Sequence, residues 1–471
     1  MDMRIISKNK IGKDYKKADF KDAKNLRKFV LALRRVVADT KKSRFDLSNR
    51  GSSISQAKSG EKIKKVAIVL REMPKLPTLG VSEQECGEII SREVLLADYE
   101  FTKYLSKPKE GWSFISELAI VGKVSKEFKD GTERGKIIAG EVNMTRELAN
   151  TPGGDMTPKI LADAARTAVK GLANTKVTVL GKREMEKLGM GAVLGVSAGS
   201  THEPQFIVVE YFGSEVDSTR SARSPQPAQP IVLVGKGVTF DTGGLNIKTE
   251  DHMYSMHLDM SGGAAVIHAV ALAAKLGLKK NVVALVPAVE NMPGGNSYRP
   301  GDILRSLSGK TIEVLNTDAE GRVILADALT YAKRYNPKLV VDVATLTGAA
   351  VVALGERASA IFTRDEALEK LTRELGEKSG DYVWPLPPWE EYEAEIKGTF
   401  GDVANLGKKG RMGGAIAGAV FLLQFTKDYA KDTKWMHIDI APTMTATDDE
   451  FLAKGAKGSP VKLLLALIEA Y

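Results

Sequence analysis

The chain has 471 residues, of which 43% are hydrophobic and 27% are charged; this is typical of a globular protein and too long for one ordinary domain. No apolar run reaches the roughly 18 residues that a membrane helix needs, and the first residues have no apolar core that would serve as a signal peptide. Cys86 is the only cysteine, which excludes an intrachain disulfide and favours a cytoplasmic location.

The net charge of +9 is unevenly distributed along the chain. Residues 1–65 carry 20 Lys+Arg against 7 Asp+Glu, whereas the remainder is mildly acidic. A solvated surface explains such a region, and contact with nucleic acid or another polyanion is the alternative. No zinc-finger spacing and no aromatic-interleaved RNA motif supports that alternative.

The first part of the chain mixes helical and strand-like patterns. An amphipathic helix is predicted at 25–37 and strands at 65–70 and 117–122, while the polar stretch 40–62 is typical of a loop or of disorder. A helical pattern at 135–150 follows.

A regular alternation of strands and helices then begins, and we predict two domains, 1–145 and 146–471. Thr157 and Pro158 are the expected cap and first residue of a helix at 156–169. Alternating strands and helices predict an α/β fold with a mostly parallel or mixed sheet flanked by helices, beside a smaller N-terminal α/β domain. The Ser/Pro/Gln-rich segment 213–230 is predicted to be a surface loop. Apolar β-branched strands are expected at 206–211, 231–235, 281–288, 311–315, 339–348 and 358–363, and further helices at 262–277 and 323–335.

Two polar clusters follow predicted strands. Lys236 and Asp241 come after 231–235, and the sequence NTDAEGR, which contains Asp318 and Glu320, comes after 311–315. Ligands of open parallel sheets bind beyond the carboxyl ends of the strands, so both clusters are expected at one edge of the sheet. On an extended joint, Asp318 and Glu320 would point the same way, and Gly321 would let the chain turn into the helix.

Each of these residues also has a structural interpretation. Asp241 precedes Thr-Gly-Gly and suits an ordinary turn, while Asp259 suits the cap of the following helix. Lys236 beside glycine suits a phosphate contact. The joint occurrence of these residues at strand ends favours a functional site.

Four carboxylates in one cleft, Asp241, Asp259, Asp318 and Glu320, would repel one another unless cations neutralised them. Two divalent metal ions supply that charge and are the usual device for hydrolysis by an activated water. Oxygen ligands suit Mg or Mn, and zinc accepts them. Such residues suffice for hydrolysis of either an acyl or a phosphoryl group. His257 is interpreted as a neighbour of the site rather than a ligand.

Four segments, 234–248, 256–263, 290–302 and 316–332, together resemble the leucyl (cytosol) aminopeptidase family of dinuclear metallopeptidases. The likeness runs in order over roughly residues 145–471, and NTDAEGR followed by LADAL is highly specific. It implies a hydrolase, a metal-dependent protease that releases N-terminal residues from peptides, preferentially leucine and other apolar ones. It also implies a homohexamer and two divalent ions per subunit, Mn, Zn or Mg.

The resemblance implies a role for each matched residue. One metal would be held by Lys236, Asp241, Asp259 and Glu320, and the other by Asp241, Asp318 and Glu320, with the Asp318 carbonyl. Lys248 would contact the tetrahedral intermediate, and Arg322 would hold a bicarbonate ion that acts as general base. Further matched residues would bind substrate: Met256, Thr345, Gly348, Ala441 and Met444 around the first side chain, and Asn316 and Ala319 on the leaving-group side.

Two rival interpretations differ in class. The sequence LRSLSGKT ends like a phosphate-binding loop, but Leu304 stands where its first glycine is required. The second rival is a nucleic-acid-binding protein of the same fold with a secondary or lost peptidase role, suggested by the basic residues 1–65.

Overall fold

The structure is a computed structural model that describes residues 1–6, 11–12, 14–42, 64–109, 111–214, 228–410 and 412–471. It contains two compact units. Unit 1 comprises 1–143 with 446–454, and unit 2 comprises 144–445 with 455–471. The predicted loops at 40–62 and 213–230 lie largely outside the described residues.

Unit 1 is built on a four-stranded parallel sheet of order β1-β4-β3-β2. The amphipathic helix predicted at 25–37 is confirmed and reaches Lys42, and its apolar face packs against the helix that begins after Ser82. Phe29, Leu33 and Ile90 are fully buried between these helices and the sheet. The elements are β1 Asp2–Ile6, β2 Tyr15–Lys17, β3 Lys65–Val69 and β4 Glu117–Val121, with α1 Leu26–Lys42, α2 Leu76–Leu79, α3 Glu83–Asp98 and α4 Lys126–Asn150, which continues into unit 2.

Unit 2 holds the larger core. Its strands are β5 Thr175–Leu180, β6 Gln205–Phe212, β7 Ile231–Gly235, β8 Gly237–Asp241, β9 Asn281–Asn291, β10 Ile303–Arg305, β11 Thr311–Glu313, β12 Leu339–Ala344, β13 Ser359–Phe362, β14 Val383–Pro385, β15 Val403–Ala404 and β16 Lys434–Asp439. Its helices are α5 Pro158–Ala168, α6 Lys182–Leu188, α7 Gly191–Ser197, α8 Glu250–Met253, α9 Ser261–Lys275, α10 Glu320–Ala332, α11 Gly348–Leu354, α12 Glu366–Ser379, α13 Gly414–Leu423 and α14 Val461–Ala470.

The main sheet of unit 2 has the order β14-β13-β16-β12-β7-β9-β6-β5, with β8 paired to the end of β9. Its centre, β16-β12-β7-β9, is parallel, whereas β6 and β13 join it antiparallel; β5 at the edge pairs antiparallel with β6. The predicted mixed α/β fold is confirmed. The Thr157 hydroxyl accepts the Ile160 N–H, as expected for the cap of α5.

Helix α9 lies in the core of unit 2. Together with the preceding turns it forms a helical segment, 250–275, that is long and apolar enough to cross a membrane, but 89% of its most apolar window is buried inside the protein. Burial of this kind is typical of a central helix of an α/β fold.

The predicted strand at 311–315 does not belong to the main sheet, which corrects the sequence interpretation. Strand β11 ends at Glu313 and pairs with β10 and β15 in a separate three-stranded sheet. The strand is short because the next two backbone amides form hydrogen bonds outside its ladder. Val314 N–H donates to the Asp302 carbonyl, and Leu315 N–H donates to the Asn405 side chain. The two polar clusters are therefore carried by different sheets.

Candidate metal centre

The turn after β7 directs Lys236 into a buried group of carboxylates. Its ammonium nitrogen lies 2.8 Å from the carboxylate of Asp259 and 2.7 Å from that of Glu320, and it donates to the Thr345 carbonyl at 2.9 Å. The Thr345 hydroxyl donates to Asp259 Oδ1 at 2.7 Å. Lys236 is only 3% exposed, so its charge is balanced by protein groups rather than by water.

Lys248 closes the other side of this group. Its Nζ lies 2.8 Å from Asp241 Oδ2 and also forms an ion pair with Asp318 Oδ1. Asp241 is fixed through its second oxygen, which accepts the Gly243 N–H and the Asn291 side-chain amide, each at 2.8 Å. The structure thus brings together all four carboxylates and both lysines that the sequence singled out.

The cluster has a deficit of positive charge. Four carboxylates face two ammonium groups, and among the described residues Asp241, Asp259 and Glu320 each place an oxygen within 4.8 Å of the others. Burial raises the pKa of Asp259 well above its ordinary range and also raises the pKa of Asp241, against the neighbouring lysines. A divalent cation would relieve both the repulsion and the cost of burying these charges.

The donor set fits divalent metal ions. Asp259 Oδ2 faces Lys236 but accepts no hydrogen bond in the structure, which leaves a lone pair for a ligand. Burial alone would lower the pKa of Lys236, but the carboxylates of Asp259, Glu320 and Asp241 outweigh it and raise that pKa. Lys236 is therefore an ammonium ion in the metal-free protein and would lose a proton on ligating a metal.

One local expectation is wrong, and one structural alternative is not observed. Helix α10 begins at Glu320, and Ala319 before it has φ −110° and ψ 41°, so Asp318 and Glu320 are not on an extended joint. Asp318 pairs with Lys248, and Glu320, in the first turn of the helix, pairs with Lys236. Asp259 does not cap α9; Met260 holds that position without a side-chain hydrogen bond, since the Asp259 carboxylate is engaged by Lys236 and Thr345.

Arg322 lies in the first turn of α10 and is only 5% exposed. Burial lowers the pKa of its guanidinium, although the charges of Glu320 and Asp439 oppose this. Its Nε has no hydrogen-bond partner among the residues that the structure describes. A buried guanidinium with a free donor suits a planar anion.

The residues predicted to bind substrate lie on several short segments of unit 2. Met256 begins the 3₁₀ helix Met256–Met260 that carries Asp259, and Gly348 begins α11, which packs against the 3₁₀ helix Ala441–Thr443. Met256, Ala441 and Met444 are half-buried, and Gly348 is exposed. Among these predicted residues, Thr345 makes direct hydrogen bonds to the cluster. His257 is half-buried, and burial lowers its pKa.

Sequence reasoning missed the residues that hold the site in place. Asn291 donates to Asp241 and, at 2.9 Å, to the Thr317 carbonyl, which also accepts the Tyr298 hydroxyl at 2.7 Å. Asn291 and Tyr298 both lie in the segment 290–302, which follows the predicted strand at 281–288, and this position could have indicated that they belong to the site. Asn405 contacts the same loop, yet nothing in its local sequence indicates this.

Residues 143–465 match the family model described as cytosol aminopeptidase family, catalytic domain. A relative from Azoarcus sp. (strain BH72), named probable cytosol aminopeptidase, is 48% identical over 347 residues, which is 74% of this chain and 65% of that protein. The match thus spans slightly less than two thirds of this relative.

Two solved structures are similar over 94% of this chain. The bottromycin maturation enzyme BotP in complex with Mn superposes with a TM-score of 0.78 at 29% identity and is covered over 87% of its length. A variant of tomato leucine aminopeptidase has a TM-score of 0.78 at 30% identity, with 79% of that chain covered.

Proposed function

Because the chain belongs to the cytosol aminopeptidase family, we propose that it is a metal-dependent hydrolase that removes N-terminal residues from peptides. The observation that supports this most is the cluster of four carboxylates and two lysines in unit 2, in which Asp318 is exposed, Lys248 is half-buried and the other four residues are buried. Membership in a peptidase family also favours acyl over phosphoryl transfer, which residue chemistry alone left open.

Two divalent ions, Mn, Zn or Mg, are proposed as cofactors. Bound there, they would supply an activated water and an electrophile for the substrate carbonyl. One would be held by Lys236, Asp241, Asp259 and Glu320, and the other by Asp241, Asp318 and Glu320. The structural neighbour that contains Mn and the close approach of three buried carboxylates support this assignment.

Two cations of the chain are proposed to serve the reaction itself. Lys248 keeps a raised pKa because Asp241, Glu320 and Asp318 outweigh its burial, so it carries a proton and can stabilise a developing oxyanion. Arg322 is proposed to hold bicarbonate, which would accept the proton of the attacking water. Its buried, incompletely bonded guanidinium supports this role.

Substrates are proposed to be peptides with leucine, methionine or another apolar first residue. Met256, Thr345, Gly348, Ala441 and Met444 would surround that residue, and Asn316 and Ala319 would face the leaving group. A cytoplasmic homohexamer is proposed on the same family likeness. Light scattering that gives about six times the 50.9 kDa chain would support the hexamer, and a fully active monomer would contradict it.

Contact with nucleic acid through residues 1–65 stays a prediction, because 43–63 lie outside the described residues. Within the described part, Arg34 is buried against Glu93, and Lys41 pairs with Glu100. Several basic residues of this region therefore have partners inside the protein.

The decisive experiment is chelation followed by addition of metal. Prolonged chelation should abolish release of leucine from leucine amide, and Mn, Zn or Mg should restore it. The matched control is Asp163→Asn, an exposed carboxylate that pairs with Arg166 far from the cluster in sequence; it should respond as the wild type does. Full activity in a verified metal-free preparation would exclude the proposed mechanism.

A further inference from the structure

Asn405 is a fully buried side chain whose hydrogen bonds within the described part of the chain go to the loop that carries Asp318 rather than to the four carboxylates. Its Oδ1 accepts the N–H groups of Leu315 and Asn316 at 2.8 and 3.3 Å. Its Nδ2 donates to the carbonyl of Asn316 at 2.7 Å and approaches that of Ala319 at 3.5 Å. One amide group therefore satisfies the backbone on both sides of Asp318.

The position of Asn405 is itself fixed by the small sheet. Strand β15 ends at Ala404, opposite Glu313 at the end of β11, and the Asn405 N–H donates to the Glu313 carbonyl at 3.0 Å. Asn405 therefore follows its strand at the same level at which the metal-binding loop leaves β11. The Asn405 side chain therefore reaches the loop that follows β11 directly, with no intervening turn of the backbone.

The segment before Asn405 is tied to the same strand by polar contacts. Glu313 Oε2 accepts the N–H groups of Thr399 and Phe400 at 2.6 and 3.0 Å. Asp402 and Thr311 bind reciprocally, each accepting a hydrogen bond from the main chain of the other. We call residues 398–405 the brace. It gives Asn405 a rigid base, which positioning a ligand loop requires.

We propose that Asn405 is a positioning residue, which holds the main chain of 315–319 so that the Asp318 ligand and the leaving-group side of the site keep their geometry. The inference rests on the proposed function and deepens it. A buried amide whose bonds are lost leaves its backbone partners unsatisfied, so the loop must shift to reach water or other donors. Partners that orient metal ligands in this way are typically worth about 10–100-fold in metal affinity or activity.

The test compares Asn405→Ala with Asn281→Ala. Asn281 is also a buried asparagine of unit 2 whose side chain, among the described residues, bonds backbone groups, donating to Ala228 and accepting from Ser214, but it lies at the start of β9, at the opposite end from Asn291. Among the described residues, Asn405→Ala removes four side-chain hydrogen bonds and Asn281→Ala removes two, so both variants should lose thermal stability and Asn405→Ala should lose more. Only Asn405→Ala should lower Mn²⁺ affinity, by about 10–100-fold in competition with a chromogenic chelator.

Kinetics provide a second measurement. At saturating Mn²⁺, Asn405→Ala should lower kcat and change the ranking of leucine amide and leucine p-nitroanilide, because these differ only in the leaving group. The ranking of leucine over alanine as first residue should stay as in the wild type. A merely structural asparagine would leave both rankings unchanged.

Asn405→Asp guards against a variant that fails to fold. It has the same size and keeps the acceptor for Leu315 and Asn316, but it turns an oxygen toward the two carbonyls, so Mn²⁺ affinity should again fall. If either Asn405 variant binds Mn²⁺ as tightly as Asn281→Ala does, the inference about Asn405 is wrong and the proposed function is unaffected. A wild-type protein that neither binds Mn²⁺ nor cleaves leucine amide would overturn the proposed function and the inference with it.

Discussion

Gly321 and Lys236 are in contact at the centre of the site: a Cβ placed on Gly321 would lie 2.6 Å from Cε of Lys236 and 2.8 Å from its Nζ. The lysine cannot simply swing away, because Asp259, Glu320 and the Thr345 carbonyl hold its ammonium group. Glycine at the second position of α10 is thus required by the approach of a side chain. Helix α10 already begins at Glu320, so the turn into the helix does not require glycine at position 321.

This contact makes Gly321→Ala a sharp probe of the metal centre. The added methyl group should displace Lys236 and weaken binding of Mn²⁺ or Zn²⁺ by about tenfold or more, as expected when a metal ligand loses its orientation. Chelator competition measures the affinity. Gly140→Ala is the matched control, since Gly140 is a helical glycine with open space where a Cβ would lie; it should bind metal normally and be slightly stabilised. Equal metal affinity in both variants would contradict the account.

The sequence predicts some levels of this structure better than others. Periodicity located α1, α5 and α9, and β-branched runs located β7, β9 and β12, because local patterns determine these elements. Membership of β11 in a separate sheet was not predictable, since it depends on β15, about ninety residues away, and on the Asp402–Thr311 contacts.

The same limit applies to the site. The candidate ligands were recognisable from NTDAEGR and the lysine-containing turns, because the chemistry of a cation site restricts its residues. The requirement for glycine at 321 follows from packing against Lys236, which no local pattern encodes. Asn291 bonds the Asp241 carboxylate and the Thr317 carbonyl, and Asn405 bonds the main chain of 315–319; such contacts leave no periodic trace in a sequence.

Specificity for the first residue should follow the apolar side chains near the cluster. Leucine and methionine substrates should show a higher kcat/KM than aspartate or glutamate substrates, because methionine side chains adapt to apolar shapes and an acidic side chain is costly to bury among apolar groups. Met256→Ser should reduce the preference for leucine over alanine, whereas Met144→Ser, at an exposed position on α4, should leave it unchanged. Faster cleavage of an acidic first residue would refute this pocket.

Asp327 should make stability depend on pH. It is fully buried on α10 and accepts the N–H groups of Leu307 and Val193, and burial raises its pKa to about 7. Since the folded pKa exceeds the unfolded value of about 4, its favourable contribution is complete below about pH 4 and is lost as the pH rises through about 7.

The variant Asp327→Asn isolates this contribution because it cannot ionise. Relative to the wild type, its thermal midpoint should rise by several degrees between about pH 5 and about pH 8, even if the amide costs some stability at both values. Differential scanning fluorimetry at a series of pH values gives the comparison. Asp163→Asn, an exposed change, should track the wild type throughout; a constant offset between Asp327→Asn and the wild type would show that Asp327 is ionised across the whole range.

Arg322 provides the test of the proposed base. The four carboxylates of the cluster are assigned to metals and lysines, so another group must accept the proton of the attacking water, and a carbonate-type anion on a guanidinium can do so. Arg322→Ala should keep its metal content, because in the structure its guanidinium makes no ion pair within 4 Å with the cluster carboxylates, Asp241, Asp259, Asp318 and Glu320. Its kcat should fall by about 10²–10⁴, the usual contribution of positioned acid–base catalysis. Arg322→Lys keeps a charge but not the planar fork and should recover little of the loss.

Added bicarbonate should accelerate the wild type and the exposed control Arg166→Ala alike, and should have much less effect on either Arg322 variant. A full bicarbonate response in Arg322→Ala would show that the anion is anchored elsewhere.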